Sequence, residues 1–155
     1  MKIIAKNKRA HLDYDILDKW EAGVILTGAE VKSAKAGQIN LKGGYVTIHG
    51  SSLSLINVHI SPYQKASHAQ KKNDPTRSRR LLLKKSEIKK VMGRLGGANS
   101  GLTLVPLSVY NKKGFLKVEV GLGKGRKKAD KREYIKNKET NLRIRKALRG
   151  KNRLK

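Results

Sequence analysis

His11, His49, His59 and His68 are the side chains best suited to proton transfer or metal ligation, and their spacing supports neither. No HxxxH or related ligand pattern joins them, and a chain without cysteine has no thiolate to complete a zinc site. A GxSxG nucleophile elbow is missing. "GKGRKK" at 123–128 lacks the GxxxxGKS/T spacing that cradles phosphate, and it leads into no apolar helix. Spacing therefore reveals no catalytic constellation, no metal site and no cofactor site, and an enzyme is the weaker reading.

What the sequence offers instead is charge. Its 37 Lys and Arg outnumber 11 Asp and Glu, a net charge of +26 that repels itself and makes sense mainly beside a polyanion. From Lys124 to Lys155 there are 15 basic residues against Asp130, Glu133 and Glu139, a balance of +12, while the first 123 residues hold 22 and 8, a balance of +14. The excess is spread over both parts. This predicts one domain over 1–123 and a basic tail over 124–155 that cannot bury a core.

Nucleic acid and an anionic membrane are the two polyanions to weigh. No apolar run approaches the roughly 20 residues that span a bilayer, and "MKIIAKNKRA" lacks the apolar core of a secretory signal. The tail's apolar residues, Tyr134, Ile135, Leu142, Ile144 and Leu148, form a thin stripe without Trp or Phe, a poor membrane-surface helix. Absence of cysteine fits a reducing compartment. The expectation is a cytoplasmic RNA or DNA partner with no membrane role.

Phosphate contacts from Lys and Arg give affinity without selectivity. Selectivity needs other residues. Tyr14, Trp20, Tyr45, Tyr63, Tyr110 and Phe115 are the aromatics outside the tail, and a stacked base is worth roughly 1 to 3 kcal/mol. Trp20 and Phe115 lie in apolar surroundings and are core candidates, whereas Tyr14 and Tyr63 sit among polar or turn residues. Glu21 and Glu30 stand out because a surface carboxylate is costly beside RNA. Each is either an ion-pair or helix-terminal residue, the reading the sequence alone favours, or an acceptor for a base or sugar donor.

These residues must be positioned by short elements. Alternation in "HLDYDIL" and "YVTIHG" and the run "GVILTG" predict strands. In "LSLINVHI" the apolar phase changes after Leu55, and in "LTLVPLSVY" between Leu104 and Val105, as bulges would produce. "NKKG" predicts a hairpin returning in "FLKVEVGLG", with Leu116, Val118, Val120 and Leu122 inward. Helices are predicted in "KSEIKKVMGRLGG", with Ser86 as N-cap and Ile88, Val91, Met92 and Leu95 on one face, in "EVKSAKAG" ending at Gly37, and in "DILDKWEAG" ending at Gly23. Residues 61–80 read as a long mobile, basic loop. The pattern favours a small, partly Greek-key barrel of the oligonucleotide-binding (OB) type, with an SH3-like barrel as second choice.

Laid end to end, "NKRA" at 7–10, "WEAGVILTGAEVKSAKAGQINL" at 20–41, "INVHISPY" at 56–63, "DPTRSRRLLLKKSEI" at 74–88, "TLVPLSVY" at 103–110 and "GKGRKKADKRE" at 123–133 resemble the small protein B family. Its members bind the transfer-messenger RNA (tmRNA, or SsrA RNA) of bacterial trans-translation. The resemblance implies a mainly β, OB-like closed barrel with about three helices. The barrel would grip the elbow of the tRNA-like domain, so that RNA and protein together imitate a tRNA and enter ribosomes stalled on messages without a stop codon.

Carried over by position, the tmRNA contacts would be Asn7, Tyr14, Glu21, Glu30, Lys32, Leu82, Lys84 and Lys117. Lys127, Lys128, Asp130, Lys131 and Arg132 would face small-subunit rRNA in the empty decoding centre, and the rest of the tail would lie in the vacant mRNA channel. Elongation factor Tu would be engaged only indirectly, through the charged RNA, and the chain would act as a monomer. Lys84 stands where the family commonly has His. Ala129 stands where it often has His or Tyr, and Thr140 lies near the place of a further aromatic. Composition predicts that the tail, too charged to fold alone, is disordered when free and helical when bound.

Overall fold

The structure, a computed structural model, describes residues 1–65, 74–97 and 101–151. The chain falls into two units, Met1–Gly125 and Arg126–Lys155.

Alternating apolar residues build the first unit. In order it contains β1 (Lys2–Lys6), α1 (Ala10–Asp13), β2 (Tyr14–Val24), α2 (Gly28–Lys35), β3 (Ile39–Asn40), β4 (Tyr45–His49), β5 (Ser52–Ile56), β6 (His59–Ile60), β7 (Arg79–Leu82), α3 (Lys85–Leu95), β8 (Leu102–Lys112) and β9 (Phe115–Gly125). Seven strands form one sheet in the order β1-β8-β4-β5-β7-β2-β9, and β8 also pairs with β9. Starting from β8, the pairings therefore run through β4, β5, β7, β2 and β9 and return to β8. All are antiparallel, and β3 pairs separately with β6.

Inside lie Ala22, Val46, Leu53, Leu55, Leu81, Leu104, Val109, Leu116, Val118, Val120 and Leu122, with Ala34 of α2 and Val91 of α3 packed against them. A second, smaller cluster of Ala10, Val105 and Leu107, with Tyr14 and Ile16 against it, sits on the opposite face of the sheet. Two bulges make this possible. The β2–β9 register shifts between Ile16 and Asp18, and the β8–β9 register between Pro106 and Ser108. Each inserts a residue and moves the apolar phase from one face to the other. Gly121 and Gly123 leave the space this needs: a Cβ at the first would stand 2.8 Å from Leu107 Cδ1, and at the second 2.8 Å from Tyr14 Cβ.

Several expectations need correction. "DILDKWEAG" is strand, because the bulge at Leu17 resets the alternation so that Trp20 and Ala22 face the core. Of "GVILTG" only Gly23 and Val24 are strand, and Leu12 belongs to α1. The phase change in "LSLINVHI" is a break between β5 and β6, with Asn57 at φ 55°, and the change in β8 falls two residues later than expected. Ser86 lies inside α3, whose N-cap is Lys84; Gly96 ends that helix, and Met92 is exposed. Phe115 is 71% exposed and belongs to no core. Arg79 and Arg80, expected in a loop, are strand; residues 66–73 of that loop lie outside the described residues. The "NKKG" hairpin turns at Lys113 and Gly114, both with positive φ (51° and 86°), the condition for a two-residue turn that matches strand twist.

The second unit contains α4 (Lys128–Lys151), 24 residues of which ten are Lys or Arg, both good helix formers. Asp130 Oδ2 accepts from the backbone N–H of Lys127 at 3.1 Å and so satisfies a donor ahead of the first turn. The Arg126 guanidinium lies 4.7 Å from the centre of the Tyr134 ring. Ile135, Leu142, Ile144 and Leu148 are all more than 40% exposed. Among the described residues no helix is long and apolar enough to cross a membrane.

Candidate nucleic-acid interface

Strand register assembles a row of residues on the sheet face that points away from the main core. Gly23 pairs with Leu82 on β7 and with Lys117 on β9; Lys117 pairs with Tyr110 on β8, and Tyr110 with Ile3 on β1. Because Leu116 and Val118 point inward, Lys117 and its partners point out. Leu82 is 52% exposed beside a glycine, an apolar spot open to contact. Glu21 lies two residues from Gly23 on the same face. Its Oε2 accepts from the Tyr110 hydroxyl at 2.6 Å and from Lys112 Nζ at 2.8 Å. These two bonds outweigh the partial burial and hold the carboxyl below its ordinary range, so it is ionised at neutral pH. Burial and the carboxylate push the Tyr110 phenol far above its ordinary range, which keeps it a donor.

The structure therefore brings Glu21, Leu82 and Lys117 together. Lys84, two residues beyond Leu82, is exposed as the N-cap of α3; its backbone N–H donates to Glu87 at 3.0 Å, which fixes the turn without using the ammonium.

Asn7 and Tyr14 line a second place, a depression of about 460 Å³ that also includes Arg9, Lys42 and Tyr45. Tyr45 is exposed and Tyr14 half-buried. The Asn7 side chain is committed within the chain: it donates to the carbonyls of Leu41 (3.3 Å) and Pro106 (3.0 Å) and accepts from the Ala10 N–H (3.3 Å). These bonds hold Asn7 in the wall of the depression and give it a structural role there.

Glu30 and Lys32 belong to α2. Glu30 is 9% exposed, and both its oxygens have partners. Oε2 accepts from the Thr27 N–H at 2.8 Å, which caps the helix, and from Arg77 Nη2; Oε1 accepts from Arg77 Nε (3.0 Å) and Arg79 Nε (2.9 Å). Burial pushes its pKa up, but these bonds and the two guanidinium charges bring it below the ordinary value. Ion pair and helix-terminal role are thus both realised. Lys32 lies 5.6 Å from the Tyr63 ring centre.

In the tail, Lys127, Lys128, Asp130 and Arg132 are exposed and Lys131 half-buried. Asp130 is the helix-starting acceptor described above. Among the described residues no group of three or more His, Asp or Glu is placed to hold a metal.

Sequence reasoning missed Arg79 and Lys112, and it named Tyr110 only as an aromatic that could stack on a base. Tyr110 and Lys112 adjoin Glu21 only through a strand pairing 89 and 91 residues away in sequence. For Arg79 the one available signal was the scarcity of carboxylates: a buried Glu30 demands cations, but Lys35 and Lys42 lie much nearer in sequence than "TRSRR", so the signal could not single out Arg79.

Comparison with known proteins gives the family. The family model described as "SmpB protein" matches residues 4–150. An SsrA-binding protein of Streptococcus agalactiae is 49% identical over 150 residues, covering 97% of this chain and 94% of the relative. One from Enterococcus faecalis is 47% identical over 152 residues, covering 98% and 96%. A chain from a solved structure described as tmRNA–SmpB, on a journey to the centre of the bacterial ribosome, superposes with a TM-score of 0.64 at 43% identity, covering 80% of this chain and 85% of that one. A match of nearly full length, at close to half the residues, shows that the chain belongs to the SmpB protein family.

Proposed function

We propose that this chain binds SsrA RNA, the tmRNA, and serves as its adaptor in trans-translation on the ribosome. The observation that carries this reading is the near full-length likeness, at 49% identity, to proteins named for binding SsrA RNA. The ring of pairings reads as a closed OB-like barrel, and its outward strip supplies an ionised acceptor (Glu21), an apolar contact (Leu82) and cations (Lys117, Lys84) for the elbow of the tRNA-like domain. Tyr14 and Lys32 add contacts from the depression and from α2; Asn7 and Glu30 act by holding those elements in place.

The tail then acts on the ribosome. Lys127, Lys128, Lys131 and Arg132 face small-subunit rRNA at the decoding centre, Asp130 starts α4, and the helix follows the vacant mRNA channel, whose phosphates offset the tail's charge. Elongation factor Tu is met only through the charged RNA. The tail takes the helical form of α4 stably only beside those phosphates, since like charges along a solitary helix repel one another and favour the unfolded chain when it is free, and the barrel and tail are separate domains joined near 123–125.

A titration against the tRNA-like domain of tmRNA and against an ordinary tRNA, at near-physiological salt, tests the proposal. Strong preference for the former is expected. Equal binding means that charge dominates and the reading fails. For the tail, a chain ending at Gly125 binds tmRNA but does not support tagging; retained tagging refutes its role. Ending at Gly123 instead would remove Lys124 and Gly125, which pair with Asp15 and Tyr14.

A further inference from the structure

The carboxylate of Glu21 is not a free fork. Oε2 already accepts two hydrogen bonds, from Tyr110 at 2.6 Å and Lys112 at 2.8 Å, while among the described residues no donor is recorded for Oε1. The side chain is 38% exposed. Its surroundings fix this asymmetry. Directly across on β9 is Glu119, engaged by Ser108 Oγ (3.1 Å) from β8 and by Lys19 Nζ (4.0 Å) from β2. Lys117 lies on the same face of β9, and β7 contributes the uncharged Leu82. Tyr110, 6% exposed, cannot swing away without losing its packing, so its hydroxyl fixes the carboxylate rotamer.

We propose that Tyr110 and Lys112 convert Glu21 into a single-oxygen acceptor, whose free Oε1 reads one isolated RNA donor, a ribose 2′-hydroxyl or an exocyclic amine. A guanine Watson–Crick edge, which presents two adjacent donors to two carboxylate oxygens, does not fit, because Oε2 has no lone pair left. Tyr110 is thus a positioning residue for selectivity. The inference rests on the RNA-binding reading above and adds the chemistry of one contact to it.

Tyr110→Phe keeps the ring and removes only the hydroxyl. We expect it to cut the preference for the tRNA-like domain over ordinary tRNA about tenfold, as loss of a charge-assisted bond allows, with the salt slope unchanged. In a Glu21→Gln background the same change costs nothing further, since there is no carboxylate left to position. Interference mapping with 2′-deoxy and amine-lacking nucleotides should show one position whose interference vanishes in both variants; a 2′-deoxy signal identifies the hydroxyl, an amine signal the base. Additive losses, equal weakening toward both RNAs, or interference from both guanine donors would overturn the proposal. A measurement without RNA guards against misfolding. In a carbon-13 titration of the Glu21 carboxyl, Tyr110→Phe moves the midpoint up toward the ordinary value, and an unmoved midpoint refutes the positioning role. If the wild type shows no preference between the RNAs, it is the proposed function that fails, while the carboxyl titration still reports whether Tyr110 holds Glu21.

Discussion

Replacing Arg79 with Met removes the most deeply buried cation of the sheet while keeping much of its length. Arg79 is 1% exposed and donates to Glu30 Oε1 (2.9 Å) and to the carbonyls of Val58 (2.6 Å), Arg77 (3.0 Å) and Pro75 (2.8 Å). Its loss takes the donor from the Val58 and Arg77 carbonyls and one of two donors from Glu30 Oε1, while the Pro75 carbonyl keeps the Ile60 N–H at 3.0 Å. Breaking a buried pair costs about 3 to 5 kcal/mol. Two features move the value to the lower end: Arg77 still faces Glu30, and the exposed residues Asp74, Thr76 and Ser78 let water reach the freed carbonyls. We expect about 3 kcal/mol, which for a unit of this size lowers Tm by roughly 10 to 15 °C. Trp20, the single tryptophan, packs against the core, so its fluorescence in urea reports the sheet unit without interference from α4. A loss under about 1 kcal/mol at unchanged m-value would refute the clamp. The pH dependence gives a second check. Glu30 has a depressed folded pKa, so its contribution is complete above the unfolded value near 4.5 and disappears as pH falls through the folded one. The gap between wild type and variant should therefore narrow below that value; a gap constant into acid would point to packing instead of the ion pair.

Other outcomes follow from the same geometry. Gly121→Ala places a methyl 2.8 Å from Leu107 Cδ1 and should destabilise the sheet by about 1 to 3 kcal/mol, measured in urea. Leu82→Ser, at a half-exposed site, should change stability by less than about 0.5 kcal/mol while weakening tmRNA binding in the titration above. Phe115→Ser should likewise leave the melting curve almost unmoved, since the ring is 71% exposed.

Sequence by itself determined the elements whose signal is local. The β8–β9 hairpin was legible because "NKKG" is turn chemistry between alternating strands, and α2 and the body of α3 because apolar spacing and Gly37 or Gly96 mark them. The division of charge and the family motifs were legible for the same reason: composition and residue order survive without coordinates. What only the tertiary structure decided depends on pairing between distant segments. The helix expected at 15–23 became strand because β9 offers it a full-length partner, and a bulge at Leu17 hides the period of two. Arg79 moved from an expected loop to the centre of a buried ion cluster because β5 pairs with β7 and brings it to Glu30. Glu21 and Glu30 looked alike in sequence. Long-range pairing gave one an open face and a tyrosine that orients it, and closed the other between two arginines and a helix cap. A carboxylate's role is set by the donors that reach it, and those donors stand dozens of residues away.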